Sequence, residues 1–177
     1  ALFKPGRHWE GGHRHRRGVP GHMLELFARH GDFDLTIRCQ GTPRWTATTA
    51  WRTSASAWAG LCRGSGDKRG ITRYGQFLLP MDETLVLVAC DLSGRDYLAG
   101  PWTCPPKGGG LRYGAGQGVL PGLRSGRAHV LHSPADGREN THHILEAVFK
   151  GAGRALKMAV APDEKHRDEI PSTKGVL

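Results

Sequence analysis

Two apolar runs, QFLLPM at residues 76–81 and TLVLVACDL at residues 84–92, stand end to end with only Asp82 and Glu83 between them. Short runs rich in branched aliphatic side chains, joined by Pro80, Asp82 and Glu83, read as two strands folding back on each other in an antiparallel pair. Two helical patterns accompany the pair. In HMLELFARHG, residues 22–31, Met23, Leu24, Phe27 and Ala28 recur at helical spacing, Gly31 stops the run, and FDLTIRC then alternates as a further strand. In THHILEAVFKGAGRALKMAVA, residues 141–161, Ile144, Leu145, Val148, Ala152, Leu156 and Met158 form a second stripe, weakened at Gly151 and Gly153. Helices combined with antiparallel strands define an α+β fold. The 177 residues are one domain's worth, or two small lobes around one core.

The longest apolar run, Leu85 to Cys90, is far shorter than the roughly 18 residues of a membrane span, and ALFKPGRHWE lacks a signal-peptide core. The chain therefore reads as soluble and cytoplasmic. Cys39, Cys62, Cys90 and Cys104 show no C-x-x-C spacing, so neither a zinc ribbon nor a disulfide framework is indicated. The formal charge of +9 raises nucleic acid as a partner, because clustered Lys and Arg release counterions from phosphates. Its distribution argues against that. Residues 1–20, 41–65 and 100–137 carry +4, +3 and +3, leaving −1 for everything else. These same blocks are rich in Gly, Pro, Trp and Arg, and no element can be assigned to them from pattern alone.

Four groups of residues carry chemistry. In NTHHILEAVFK, His143 and Glu146 are three apart and His142 and Glu146 four apart, which on a helix aims imidazole and carboxylate from one face. Nitrogen and oxygen donors so placed suit a first-row divalent metal; the plainer reading is solvated histidines at a helix start, with the glutamate in a capping arrangement. In PSTKGVL, the Ser172 and Thr173 hydroxyls, the Lys174 ammonium and the Gly175 N–H could grip a phosphate, or form a flexible polar terminus. Arg73 and Arg95 carry guanidinium forks that fit phosphate oxygens, though lone arginines are usually solvated. His22 and His30, eight residues apart on one helix face, are too far from each other for one metal but could serve two neighbouring sites, or be surface histidines.

Taken together and in order, HMLELFARHGDFDLTI, GDKRGITRYGQFLLPMDETLVLVACDLSGRDYLA, NTHHILEAVFKGAGRALKMAV and IPSTKGVL resemble the imidazoleglycerol-phosphate dehydratase family. The resemblance implies a single domain over residues 1–177, built as a duplicated α+β unit with halves at approximately 1–99 and 100–177. Each half would supply one H-H-x-x-E helix. It implies a lyase of histidine biosynthesis that removes water from imidazole glycerol phosphate, with two Mn2+ ions, in a homo-oligomeric shell of twenty-four subunits. Position by position, His22, His142, His143 and Glu146 are the implied metal ligands. Arg73, Arg95, Ser172 and Lys174 are the implied phosphate grip, and Glu146 and His30 the implied catalytic side chains. The family's first H-H-x-x-E belongs between Gln40 and GDKRG, where this sequence has no histidine, and the family's N-terminal G-x-G-F-F-D-H run is missing before His22.

The genetic code supplies what the residues omit. In the frame one nucleotide upstream, the single Trp codon TGG at Trp45 gives Val and Asp, and Ala47, Thr48 and Thr49 give Gly, His and His. Trp51 closing into an AGG Arg52 gives Glu. GTPRWTATTAWRTSASAWAG, residues 41–60, can thus spell D-T-A-V-D-G-H-H-S-V-E-D-V-G-I-C-L-G, the missing motif with the family's flanks. Residues 110–122 and 7–19 likewise permit D-F-D-T-E-L-V-K-E-F-F-R and G-T-G-R-A-D-I-A-T-G-V-G in shifted frames. The three blocks read as frameshifted translation of a GC-rich gene, whose codons yield Arg, Gly and Pro out of frame. The charge then needs no polyanion. A basic, partly disordered nucleic-acid-binding protein is the alternative.

Overall fold

The computed structural model describes residues 3–5, 19–35, 68–93, 97–99, 127–134 and 140–175. Its elements in chain order are β1 (Phe3–Pro5), α1 (Val19–Gly31), β2 (Phe33–Leu35), β3 (Tyr74–Met81), β4 (Thr84–Asp91), β5 (Tyr97–Ala99), β6 (Arg127–Pro134) and α2 (Thr141–Ala159). Residues 36–67, which contain the implied first metal helix, lie outside the described residues.

β3 and β4 form the expected antiparallel hairpin, in register from Tyr74↔Asp91 to Met81↔Thr84. The two-residue turn is made possible by Asp82, whose φ of 49° is a left-handed conformation that a short polar side chain tolerates. The hairpin belongs to a four-stranded sheet of order β3-β4-β6-β5, and β5 joins β6 in parallel, so the sheet is mixed rather than purely antiparallel. β1 and β2 form a separate antiparallel pair. Two strands, β1 and β6, come from blocks in which pattern alone assigned no element. β6 pairs with the whole of β4, and this ladder supplies what its own sequence, RAHVLHSP, does not announce.

α2 covers the hairpin strands β3 and β4 of the sheet, and α1 packs on α2 and against β2. Alternation along β3 and β4 turns Leu79, Val86 and Val88 inward, into one core cluster with Val148, Ala152, Ala155, Leu156 and Ala159 of α2 and Phe27 and Ala28 of α1. The helical stripe is as expected except at its end: Met158 is exposed, and Ala155 and Ala159 complete the buried face. Gly31 is the last residue of α1, but the left-handed reversal after it is made by Asp32, with φ of 53°. The glycines of α2 mark close packing. A Cβ on Gly153 would stand 2.5 Å from the Phe27 carbonyl oxygen, and one on Gly75 of β3 would stand 1.9 Å from that of Ala155. Backbone meets backbone at both crossings, which any side chain would prevent.

The C-terminal segment is tied down rather than free. Ile71 and Pro162 form an antiparallel bridge, Gly70 N–H donates to Glu169 at 3.0 Å, and Asp163 N–H donates to Gly70 at 2.8 Å. This places the PSTKG turn beside the start of β3.

Candidate active site

α1 and α2 run in the same direction: His22 meets Glu146, Phe27 backs onto Gly153, and Asp32 pairs with Lys157. The crossing at Gly153 therefore sets how closely the N-terminal turns face each other. α2 starts at Asn140, whose side chain accepts the His142 N–H at 3.0 Å. That cap leaves Glu146 free for other partners. Four residues bring a side chain to within about 40° of the first, whereas three leave it about 60° to the other side. Glu146 leans toward α1 with His142, and His143 turns to the β3–β4 hairpin.

Two clusters result. In the first, His22 Nε2 lies 3.0 Å and His142 Nε2 3.3 Å from Glu146 Oε1, with the two rings stacked at a centroid distance of 6.4 Å. Lys150 Nζ donates to Glu146 Oε2 at 3.0 Å. In the second, His143 Nδ1 lies 3.1 Å from Glu83 Oε1 and 3.6 Å from Asp82 Oδ2. Candidate ligand atoms of Asp82, Glu83 and His143 all fall within 4.8 Å of one another. The expected set of His22, His142, His143 and Glu146 is thus divided, three to one.

Electrostatics separate the roles. Burial pushes the Glu146 carboxyl up, but hydrogen bonds from Lys150 and His22 outweigh it and hold the group below its ordinary range. An ionised carboxylate receiving two imidazole nitrogens is a ligand or a base, not an acid. Two imidazole nitrogens and one anionic oxygen suit a first-row divalent ion by donor type, but among the described residues the ligand atoms that all lie close enough together for one ion are those of Asp82, Glu83 and His143. Burial, then Arg154, Lys150 and Arg29, lower the His30 pKa, which places that ring on the cationic side of α2, beyond the first cluster.

Arg73 is a deliberate construction. Its φ of 71° is rare for a side-chain-bearing residue, its Nε donates to Asp91 Oδ1 at 2.7 Å, and its guanidinium stands 4.7 Å over the Tyr74 ring. Nη1 also donates to the Pro171 carbonyl at 2.6 Å, so Arg73 holds the turn carrying Ser172 and Lys174. In that turn the Lys174 N–H donates to Ser172 Oγ at 3.2 Å. Three members of the expected phosphate grip are therefore neighbours, and Arg95 lies outside the described residues.

Pattern reading missed Glu83, Asp82 and Lys150 as site residues. Lys150 had a legible signal, four residues beyond Glu146 on a helix. Asp82 and Glu83 were legible only as turn formers. Of the cysteines, Cys90 lies among the described residues as a free thiol, pushed up to about 12 by burial.

A sheet covered by α2, with α1 packed on that helix and imidazoles and carboxylates gathered at one end, defines an α+β enzyme whose donor set is compatible with a metal cofactor. The chain belongs to the imidazoleglycerol-phosphate dehydratase family, whose model matches residues 18–156. It is 41% identical over 162 residues to the dehydratase of Methylorubrum populi, covering 90% of this chain and 83% of that relative. It is 42% identical to that of Heliobacterium modesticaldum, with the same coverage. Among solved structures it is similar to the Staphylococcus aureus enzyme, with a TM-score of 0.75 and 27% identity over 90% of this chain and 91% of that one. It is also similar to IGPD from Pyrococcus furiosus, with a TM-score of 0.70 and 31% identity over 90% of this chain and 86% of that one. No helix among the described residues is long and apolar enough to cross a membrane.

Proposed function

We propose that the locus encodes a dehydratase that converts D-erythro-imidazole glycerol phosphate to imidazole acetol phosphate in histidine biosynthesis, and that this chain is its frameshifted rendering. The observation that carries the reading is the convergence of His22 and His142 on Glu146, from helices 124 residues apart in sequence for the first pair. His22, His142 and Glu146 would hold one Mn2+, with His143 directed to a second. Bound manganese would supply the electrophilic pull that lets the substrate imidazole accept electrons from a hardly acidic C–H bond. Arg73, Ser172, Lys174 and Arg95 would anchor the phosphate, fixing the distance from that anchor to the imidazole end. Glu146, held ionised, and His30, held neutral, suit proton acceptance rather than donation at neutral pH.

The same reading makes the protein a cytoplasmic homo-oligomer, a 24-mer if it follows the resemblance, built from two pseudo-repeated halves. Tyr74, Leu78 and Leu85, exposed on the face of the sheet turned away from α2, support association between copies. Nucleic acid is not a partner in this reading.

The test is to sequence the encoding DNA from several independent clones and to assay the protein translated from the restored frame. Manganese-dependent dehydration by the restored protein is the expected result. An uninterrupted frame spelling the present chain would sink the frameshift, and an inactive restored protein would sink the dehydratase assignment.

A further inference from the structure

His143 turns its Nδ1 away from the first cluster and into the hairpin, where both Glu83 oxygens stand 3.1 Å from it. The contact joins residues 60 apart in sequence and is mostly shielded, with the His143 side chain 28% and the Glu83 side chain 19% exposed. Surface ion pairs are usually loose, but this one is framed on both sides. Glu83 sits in a two-residue turn closed by the Met81↔Thr84 pair, and Thr84 is buried. His143 sits in the first turn of a helix whose start is fixed by Asn140.

A neutral imidazole carries one proton. A carboxylate at Nδ1 draws it there and leaves the Nε2 lone pair free. The geometry points to Glu83 as the positioning residue for His143: it sets the ring's tautomer and rotation so that Nε2 is presented as a donor for a divalent cation. This rests on the proposed role of His143 as a metal ligand. The arrangement is that of a carboxylate supporting a ligating imidazole rather than a ligand itself, because both oxygens are equally close to the same ring nitrogen. Asp82, 3.6 Å away and 66% exposed on its side chain, supports the same side more weakly.

The experiment uses the 15N-labelled full chain, with the His143 ring signals assigned by their loss in His143→Gln. In the metal-free protein the Nδ1–H tautomer should dominate, and Glu83→Ala should shift the ring toward Nε2–H. Mn2+ affinity, read from the free-ion EPR signal, should fall about 10- to 100-fold in Glu83→Ala. Glu83→Gln keeps an acceptor oxygen and should recover most of that loss. An Nε2–H tautomer in the unmodified chain overturns the proposal, as does a tautomer unmoved in Glu83→Ala. Equal Mn2+ loss in the two variants also overturns it, by making Glu83 a direct ligand. Should Glu83→Ala fail to melt cooperatively, the unmodified tautomer and the affinity of Glu83→Gln still decide. No substrate enters these measurements, so failure of the dehydratase assignment would show separately, in the turnover of the restored protein.

Discussion

His30 lies at the end of α1 among Arg29, Arg154 and Lys150, and burial and these cations together hold its pKa below the ordinary 6.5. Above pH 6.5 the ring is neutral in both folded and unfolded chains, so it contributes nothing to the difference between them. As pH falls below that value the unfolded chain takes up the proton first, and stability declines. Thermal melts from pH 8 to pH 5 should therefore show a drop in Tm that is smaller in His30→Gln. Identical acid limbs would show that the local cations do not act on His30. Arg73 is the complementary case at this scale. Its guanidinium is stabilised in charged form by Asp91, with which its hydrogen bond outweighs the cost of burial. It remains placed beside the Ser172 turn through the Pro171 carbonyl. Its identity suggested a phosphate fork, but nothing in a lone arginine announces which acid it will pair with or which carbonyl it will hold.

At the scale of elements, the packing of α1 on α2 can be tested at Gly153. Propensity alone favours alanine in a helix interior by about 1 kcal/mol. The Cβ would stand 2.5 Å from the Phe27 carbonyl oxygen and 3.0 Å from the Gly31 nitrogen, both backbone atoms that cannot rotate aside. Overpacking of this kind costs about 1–3 kcal/mol, so Gly153→Ala should lower Tm despite its better propensity. A Tm at or above that of the unmodified chain would mean that the helices separate at little cost. Because the same crossing sets the approach of His22 to Glu146, the variant should also loosen the first histidine cluster.

The hairpin was legible because alternation and turn chemistry agree over QFLLPM and TLVLVACDL. The α2 stripe was legible up to Leu156, where the buried face passes to Ala155 and Ala159 and leaves Met158 outside. A small residue gives a weak hydropathy signal, so an alanine seam is easily overlooked beside a methionine. β6 was not legible, since a strand held by a full ladder to β4 needs little pattern of its own. Gly151 and Gly153 read as weaknesses because sequence shows the propensity cost and hides the neighbouring helix. The site divides in the same way. The pairing of His142 with Glu146 followed from helical spacing, and His22 stood out on its helix face, though its place as a ligand came only by resemblance. Glu83 depended on which side of α2 the hairpin tip would lie, a tertiary fact.

For the whole molecule, the decisive question is how much of the enzyme the literal chain retains. It spells one H-H-x-x-E helix, at residues 142–146, and none in residues 41–67. The proposed two-metal mechanism has no substitute for half of its proposed ligands, and groups that act as a unit lose function together rather than in proportion. Manganese-dependent turnover by this exact sequence should therefore not rise above a metal-free control. Measurable turnover would refute the claim that the first motif is both missing and required. The charge supplies the contrasting readout on the same sample. If the basic blocks were selected for a polyanion, affinity for DNA would fall steeply and linearly in log salt, by about 0.9 log units for each phosphate neutralised and each tenfold rise in salt. As out-of-frame arginine they should give only weak binding, abolished by the frame restoration that brings back turnover. A chain that kept its salt-dependent affinity after restoration would have the basic face as part of its design.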